Sequence, residues 1–484
     1  MSSAPPRVAE EAAASEVIAA LRRILPADAV LVDEEERRPY ECDGLTAYRQ
    51  LPALVLLPEN EVQVVALLKL CHQLKLPLVA RGAGTGLSGG ATPVVAGAVL
   101  SLARFMRIIE VDAAARTARV QPGVRNQAIS EAAAPHGLYY APDPSSQIAC
   151  TIGGNIAENA GGVHCLKYGL TVHNVLGLRI ATADGEVHEI GGGALDSPGY
   201  DLLALLIGSE GMLAVVLEAT VKLTPKPQLA QVVMASFADV AQAGEACARI
   251  IAAGIIPAGL EMMDQAATAA VEAFVHAGYD LEAQAILLAE SDGAPAEVAA
   301  EIAAMAVLLA DAGATEVRVS RDEGERLKFW AGRKAAFPAV GRITPDYMCM
   351  DGTIPRKHVA AMLTRIQDLA REFGLRCANV FHAGDGNLHP LIMFDANVDD
   401  ELARATAFGT RILELSVAMG GTITGEHGVG IEKLQQMCVQ FSATELAMFS
   451  AVKAAFDAFL LLNPGKVIPT PRRCSEYRLT GGRL

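Results

Sequence analysis

The 484-residue sequence lacks several features that would assign it to common protein classes. Its nine cysteines include no Cys-x-x-Cys pair, so we expect buried free thiols in a reducing compartment and no iron–sulfur cluster. No apolar run is long enough to span a bilayer. The N-terminus has no basic region leading into an apolar stretch, as a secretory signal would. These absences predict a soluble cytoplasmic protein.

Charge and length narrow the class further. The net charge of −15 argues against binding to nucleic acid and against direct adsorption to anionic lipid. Any membrane association would therefore go through a partner protein. A chain of this length is too long for one compact core, so two or three domains are expected.

A glycine-rich loop at 81–90 is the most informative segment that is present. It holds five glycines and one arginine, a composition that lets backbone N–H groups approach an anionic ligand closely. Residues 84–89 match G-x-G-x-x-G, but a strand-like segment at 98–102 follows where a dinucleotide site needs a helix. No Gly-Lys-Ser/Thr follows either, which excludes a P-loop. The pattern predicts a strand–loop–strand cradle for the pyrophosphate of FAD.

Three more segments of similar composition lie at 142–146, 152–169 and 208–213. In this order and spacing they resemble the FAD-binding domain of the vanillyl-alcohol oxidase-like flavoproteins. The C-terminal half is similar to the FAD-linked D-2-hydroxyacid dehydrogenases of that group, and most of all to the members that oxidise glycolate. The loop at 81–90 has no histidine to tether the flavin, so FAD should be noncovalent. The resemblance implies these FAD-binding residues: Arg81, Gly82, Ala83, Gly84, Thr85, Gly86, Ser88, Gly89, Pro142, Asp143, Ser146, Gly153, Gly154, Asn155, Asn159, Gly162, Tyr168, Gly169, Glu210, Gly211, Val215 and Asn463.

The expected fold is α+β, with a two-lobed FAD-binding domain of the vanillyl-alcohol oxidase type. We predict a helical lead-in at 1–50, the FAD-binding domain at 51–227, and an α/β substrate cap at 228–410. A helical segment at 411–484 should return to the flavin. Pro225-Lys226-Pro227 is the clearest linker signal.

A first chemical motif surrounds two histidines. Apolar runs on both sides of 383–387 predict a hairpin that places His382 and His389 opposite each other, with Cβ atoms about 5 Å apart. One metal ion could then bind both imidazoles.

A second motif, at 422–430, is expected to be a strand end that runs through a glycine turn into a helix covering 432–440. Adjacent side chains diverge there, so Glu426 can complete a His-His-Glu metal site while His427 faces the substrate. Two imidazoles and one carboxylate suit Zn²⁺, and would also accept Mn²⁺ or Fe²⁺. A single histidine in a strand is more often structural, and the three ligand candidates together favour the metal site.

Trp330-Ala331-Gly332-Arg333-Lys334 resembles the family segment whose arginine binds the substrate carboxylate, and this implies the same role for Arg333. A surface arginine on a helix is the alternative. The sequence differs at two positions from the relatives that oxidise hydroxyglutarate. Cys349 stands where those relatives have a lysine, and Leu391 stands where they have an asparagine. Both remove polar contacts that a dicarboxylate would need, so they favour glycolate or D-lactate.

The resemblance implies oxidation of a small 2-hydroxyacid to the 2-oxoacid. His427 would remove the hydroxyl proton while C2 delivers hydride to N5 of FAD. Electrons would pass to a partner, because this chain offers no cluster ligands; a second flavin-type subunit and an iron–sulfur subunit leading to quinone are expected. One alternative is a stand-alone D-lactate or D-2-hydroxyglutarate dehydrogenase with a soluble acceptor. Another is a noncatalytic FAD-binding scaffold, which would not need the metal and base residues.

Overall fold

The computed structural model describes residues 15–193 and 198–479, and its mixture of helices and sheets confirms the α+β class. Residues 1–14 of the predicted lead-in lie outside the described residues. The strands form sheets of four, five and seven strands and one two-stranded pair. Helix α1 occupies 15–21, and short 3₁₀ segments lie at Ala27–Ala29, Arg38–Tyr40, Ala134–His136 and Arg356–His358.

The four-stranded sheet carries the glycine-rich loop. In spatial order its strands are β1 (Val30–Leu31), β2 (Leu54–Leu56), β4 (Ala98–Ser101) and β3 (Leu78–Arg81), accompanied by α2 (Glu34–Arg37) and α3 (Glu61–Leu74). Helix α3 begins where the Asn60 side chain accepts a hydrogen bond from the Gln63 N–H group. Strands β3 and β4 are parallel, yet residues 82–97 connect them without a helix. The predicted strand–loop–strand arrangement is therefore correct.

The five-stranded sheet forms the second lobe and is antiparallel throughout. Strand β10 buries alternate residues, as a strand with one face in the core should. The elements of this lobe, with the sheet given in spatial order, are β5 (Ile108–Asp112), β6 (Thr117–Val120), β10 (Val215–Lys222), β8 (Val175–Ala181) and β9 (Val187–Gly191); the pair β7 (Leu138–Tyr139) and β11 (Thr224–Pro225); and α4 (Asn126–Ala133), α5 (Ile152–Glu158), α6 (Cys165–Tyr168), α7 (Thr171–Asn174) and α8 (Leu202–Leu206).

The seven-stranded antiparallel sheet forms the third lobe and has helices on both faces. Its residues alternate between two apolar clusters, so that Val233 packs on one face and Val232 on the other. In spatial order the strands are β15 (Glu316–Val319), β12 (Leu229–Phe237), β14 (Ala285–Gly293), β13 (Gly259–Asp264), β17 (Arg376–His382), β18 (Asn387–Phe394) and β16 (Asp346–Cys349). One face packs against α9 (Val240–Ala252), α11 (Pro295–Asp311), α14 (Val359–Phe373) and α15 (Glu401–Ala418), and the other against α10 (Gln265–Val275), α12 (Glu323–Lys334) and α13 (Ala336–Val340). Helix α15 crosses the predicted boundary at residue 410.

The C-terminal segment contains α16 (Met437–Gln440), α17 (Ala443–Phe456) and α18 (Pro471–Leu479). The predicted helix at 432–440 is wrong except for its last turn, because the N–H groups of Ile431 and Glu432 both donate to the Ser88 carbonyl and hold the chain in turns. Residues 422–430 are likewise not a strand end, since only a single bridge pairs Thr422 with Thr353.

A disulfide joins Cys438 of α16 to Cys474 of α18. The expectation of free thiols throughout is therefore wrong for this pair and correct for the other seven cysteines. The closed loop contains α17 and the segment at 463–466, which reaches back to the first sheet.

Candidate functional site

A cavity of about 390 Å³ lies where the three lobes meet. The glycine-rich loop, α5 and the segment at 209–216 line one side. The other side is lined by Lys334 at the end of α12, by α13, by His389 of β18 and by Glu426 and His427. Of the predicted FAD-binding residues, those on its wall are Arg81, Gly82, Ala83, Gly84, Thr85, Gly86, Ser146, Gly153, Gly154, Asn155, Glu210, Gly211, Val215 and Asn463. Those outside the wall are Ser88, Gly89, Pro142, Asp143, Asn159, Gly162, Tyr168 and Gly169.

The glycine-rich loop packs directly on the first turn of α5. A Cβ atom on Gly82 would overlap Oγ1 of Thr151, the residue that caps α5 by accepting a hydrogen bond from the Gly154 N–H group. Gly84 has a φ of +70°, which leaves room for the Arg81 guanidinium beside it. A glycine backbone packed this closely beside the buried Arg81 is compatible with a pyrophosphate site.

The C-terminal return closes the opposite side of this loop. The side-chain amide of Asn463 donates to the carbonyls of Gly90 and Glu210 at 3.2 and 2.5 Å. Lys466 donates to the carbonyls of Gly90 and Thr92 and to the Asn463 side chain. Sequence reasoning missed Lys466, although it follows Asn463 in the same short segment.

Three predicted metal ligands converge at the end of the cavity. His382 ends β17 and His389 lies in β18, but the strand register pairs His389 with Val380. The predicted direct opposition of the two histidines is therefore wrong. They are diagonal neighbours on one face of the sheet, with ring centroids 5.0 Å apart.

The donor atoms have the spacing that a metal ion needs. Glu426 Oε1 lies 3.3 Å from His382 Nε2 and 3.2 Å from His389 Nε2. Ligands about 2.1 Å from a tetrahedral ion are roughly 3.3–3.4 Å from each other. Both ring nitrogens of His389 are buried without a hydrogen-bond partner, an arrangement that costs free energy unless a ligand completes it. The residues therefore fit a zinc-like ion.

Behind the histidines lies Glu261, which sequence reasoning missed. Its Oε1 is 2.6 Å from His382 Nδ1, and its Oε2 accepts a hydrogen bond from Arg333 Nε at 2.6 Å. A carboxylate on the second nitrogen is the usual way to orient a metal-binding histidine. Arg333 is thus joined to the cluster through Glu261, whereas its neighbour Lys334 lines the cavity.

His427 lines the cavity beside the cluster and stacks on His389, with ring centroids 4.9 Å apart. Burial lowers the pKa of His427 to about 4, and the neighbouring His389 acts in the same direction against the opposing charge of Asp351. The imidazole is therefore neutral near pH 7 and can accept a proton. Its Nδ1 has no hydrogen-bond partner.

His164 belongs to a separate polar network between the second and third lobes. Its Nδ1 lies 2.7 Å from Asp143 and its Nε2 lies 3.4 Å from Glu290 on β14. Glu290 also accepts hydrogen bonds from Arg326 and from the Trp330 indole. This network fastens α12 to the flavin-side lobe.

Two family models match the chain. An FAD binding domain covers residues 52–191, and the C-terminal domain of FAD linked oxidases covers residues 226–467. The glycolate oxidase subunit GlcD of Escherichia coli K12 is 60% identical over 461 residues, which cover 95% of this chain and 92% of that protein. GlcD of Bacillus subtilis is 38% identical over 90% of this chain and 93% of its own length. A D-lactate dehydrogenase of Archaeoglobus fulgidus is 35% identical over 86% and 91%.

Solved structures support the fold alone. p-Cresol methylhydroxylase superposes with a TM-score of 0.81 at 16% identity, covering 95% of this chain and 97% of that one. 4-Ethylphenol oxidase of Gulosibacter chungangensis superposes with a TM-score of 0.76 at 17% identity, covering 95% and 98%. Together with the matched domains, these similarities confirm a flavoprotein fold of the vanillyl-alcohol oxidase type.

Proposed function

The chain belongs to the FAD-linked oxidases, and we propose that it is the FAD-binding, substrate-oxidising subunit of a glycolate oxidase. Its class of activity is FAD-dependent oxidation of a 2-hydroxyacid, as in its glycolate oxidase and D-lactate dehydrogenase relatives. Glycolate is the proposed main substrate and D-lactate a second one. The observation that carries the proposal is the His-His-Glu cluster at the end of a cavity whose other side is a pyrophosphate cradle.

Each residue of the cluster has a defined task. His382, His389 and Glu426 would hold a divalent ion, with zinc favoured by two imidazoles and one carboxylate. An ion held there would lower the pKa of a hydroxyl group, and FAD, when bound, would supply the acceptor for the hydride from C2 of the substrate. His427 is neutral and lies on the cavity wall, so it is placed to take the hydroxyl proton. The substrate thereby loses one hydride and one proton and becomes the 2-oxoacid.

Two cations are candidates for the substrate carboxylate. Arg333 remains our proposal, because a guanidinium binds a carboxylate with two parallel hydrogen bonds. Its Nε is engaged by Glu261, so a substrate contact would use the two terminal nitrogens. Lys334 lies on the cavity wall and is the alternative.

The proposed preference for a short substrate rests on the apolar character of Cys349 and Leu391, which lie beside and in the strand of His389 and are not themselves on the cavity wall. The two residues pair across β16 and β18, and both are buried in the same apolar cluster. Nothing in that cluster would compensate a second carboxylate, and an unpaired buried charge costs several kcal/mol. We therefore propose discrimination against dicarboxylates such as D-2-hydroxyglutarate.

We also propose that the chain works within a complex. Its most similar relatives named above are subunits of glycolate oxidase. A second flavin-type subunit and an iron–sulfur subunit would receive the electrons and pass them to quinone, and would attach the assembly to the cytoplasmic side of the membrane. Across 15–193 and 198–479, no helix is both long enough and apolar enough to cross a bilayer.

Stopped-flow bleaching of the flavin against a panel of 2-hydroxyacids tests the substrate. Glycolate and D-lactate should reduce the flavin. If none of the 2-hydroxyacids bleached it, the result would favour the alternative of a noncatalytic FAD-binding scaffold. His382→Ala and His389→Ala should each remove bound metal and nearly all turnover while FAD remains. His188→Ala, which changes an exposed histidine on β9, is the matched control. Active wild-type protein without divalent metal would refute the metal site.

A further inference from the structure

The turn that carries Glu426 and His427 has almost no regular structure, yet its backbone is tightly bound. The buried carboxylate of Asp351 accepts hydrogen bonds from three successive N–H groups. Gly425 and His427 donate to Oδ2 at 3.1 and 2.9 Å, and Glu426 donates to Oδ1 at 3.2 Å. The hydroxyl of Thr424 also donates to Oδ2.

A second buried carboxylate holds the other half of the turn. Glu210 accepts hydrogen bonds from the N–H groups of Val429 and Gly430, each at 2.7 Å. Between the two halves, Gly428 has a φ of +83°, and a Cβ atom there would overlap Oε2 of Glu158. The turn is therefore confined from several sides.

One lysine connects the two halves electrostatically. Lys433 is fully buried, and its ammonium group donates to Asp351 Oδ2 at 3.2 Å and to the Gly428 carbonyl at 2.9 Å. It provides the counter-charge that makes a buried carboxylate tolerable at this position.

The two carboxylates reach the turn from different lobes. Asp351 follows β16 of the seven-stranded sheet, whereas Glu210 lies in the segment that lines the cavity on the flavin side. Together they set the position of Glu426 and His427 relative to β17 and β18, which carry His382 and His389, and relative to the glycine-rich loop.

A metal-binding role for Asp351 is a competing interpretation, because one of its oxygens lies within 4.8 Å of one ring nitrogen of His389 and one of His427. The N–H groups of the turn and Lys433 already occupy both oxygens. A metal ion would have to displace several of these donors. The hydrogen bonds favour a role in holding the turn.

We propose that Asp351 and Glu210 are positioning residues, which clamp the turn at 424–430 from two lobes and so align Glu426 with the metal site and His427 with the substrate. The inference rests on the proposed roles of Glu426 and His427. In this arrangement Asp351 holds the backbone of both Glu426 and His427, and Glu210 holds the two residues at the far end of the turn, on the flavin side.

The test compares the flavin-loaded wild-type protein with Asp351→Asn and Glu210→Gln. An amide group cannot accept all of these hydrogen bonds, so part of the turn is released in each variant. Asp351→Asn should hold Zn²⁺ about 10–100-fold more weakly against EDTA, and added Zn²⁺ should restore part of its flavin reduction by glycolate. Glu210→Gln should keep Zn²⁺ but reduce its flavin on the order of 100-fold more slowly, because the base is displaced.

Asp239→Asn is the control, since Asp239 is an exposed carboxylate that accepts a backbone N–H bond at the start of α9, away from the cavity. It should leave metal retention and flavin reduction unchanged. If Asp351→Asn does not fold, Thr424→Val removes one hydroxyl bond to Asp351, together with the contacts of that hydroxyl to the Gly428 carbonyl and to Lys433, and leaves the three N–H bonds. It should show a smaller loss of the same kind. Wild-type metal retention and flavin reduction in both clamp variants would overturn the inference. A wild-type protein without metal would instead refute the metal site, and the rate of flavin reduction would still test the clamp.

Discussion

Replacing Glu261 by glutamine should weaken metal binding and destabilise the third lobe at the same time. The side chain is 1% exposed and lies between His382 Nδ1 and Arg333 Nε, at 2.6 Å from each. Glutamine keeps the shape but removes the negative charge, so the Arg333 guanidinium, which is 2% exposed, loses its counter-charge. Breaking a buried ion pair in this way costs about 3–5 kcal/mol. Loss of the carboxylate behind the histidine should weaken metal retention about 10–100-fold.

A double-mutant cycle with Arg333→Met separates the two effects. Arg333→Met alone should leave metal retention intact, because Glu261 still orients His382. It should raise KM for glycolate, costing on the order of 2–4 kcal/mol if the guanidinium binds the substrate carboxylate. In the double variant no charge is left unpaired, so its loss of stability should be smaller than the sum of the single losses by about 1–3 kcal/mol.

Urea unfolding monitored by tryptophan fluorescence measures the stability of each variant. Trp330 is the single tryptophan of the sequence and lies on α12, one turn before Arg333. Metal content after dialysis against EDTA provides the second measurement. Glu261→Gln with wild-type metal retention, or strictly additive losses of stability, would refute the reasoning.

Four further outcomes are expected. Acid precipitation should release all of the flavin, and flavin left in the protein pellet would contradict noncovalent binding. Gly82→Ala should lower the affinity for FAD at least tenfold, which is about 1.4 kcal/mol or more, because the new methyl group overlaps Thr151. Thr151→Ala in the same chain should recover part of that affinity. Unchanged FAD affinity in Gly82→Ala would contradict the cradle. Burial alone would lower the pKa of His164, but the charge and hydrogen bond of Asp143, with Glu290, raise it to about 10. His164→Gln should therefore lower the free energy of unfolding by about 1–3 kcal/mol below pH 6.5 and by progressively less towards pH 10. A loss of stability that grew with pH would contradict this. kcat/KM for glycolate should exceed that for D-2-hydroxyglutarate roughly a hundredfold, and Cys349→Lys should narrow the gap; equal values would refute the substrate assignment.

Local composition was sufficient to predict the features that depend on local chemistry. The glycine-rich loop was found because closely spaced glycines mark a backbone that approaches a ligand. The grouping of His382, His389 and Glu426 could be predicted because two short motifs contain rare side-chain types among glycines, and the three side chains do lie together. The strand-like segment at 98–102 was predicted from its apolar residues, and β4 confirms it.

Features that depend on distant pairing could not be predicted from the sequence. Glu261 is placed behind His382 by the pairing of β13 with β17, which joins residues far apart in the chain. The turns at 431–436 replace a helix because Ser88, in another lobe, binds their N–H groups. The diagonal arrangement of the histidines follows from a strand register that the turn residues alone did not determine.

The disulfide between Cys438 and Cys474 ties retention of the flavin to the redox state of the surroundings. Its partners are 36 residues apart, and a loop of this length restricts the unfolded chain by about 4 kcal/mol in the chain-entropy description. The loop contains Asn463 and Lys466, whose side chains both donate hydrogen bonds to the Gly90 carbonyl of the glycine-rich loop. Reduction would therefore favour the unfolded form of the segment that closes the cofactor cavity. By thermodynamic linkage, the oxidised protein should bind FAD at least as tightly as the reduced one, and bound FAD should in turn favour the closed disulfide.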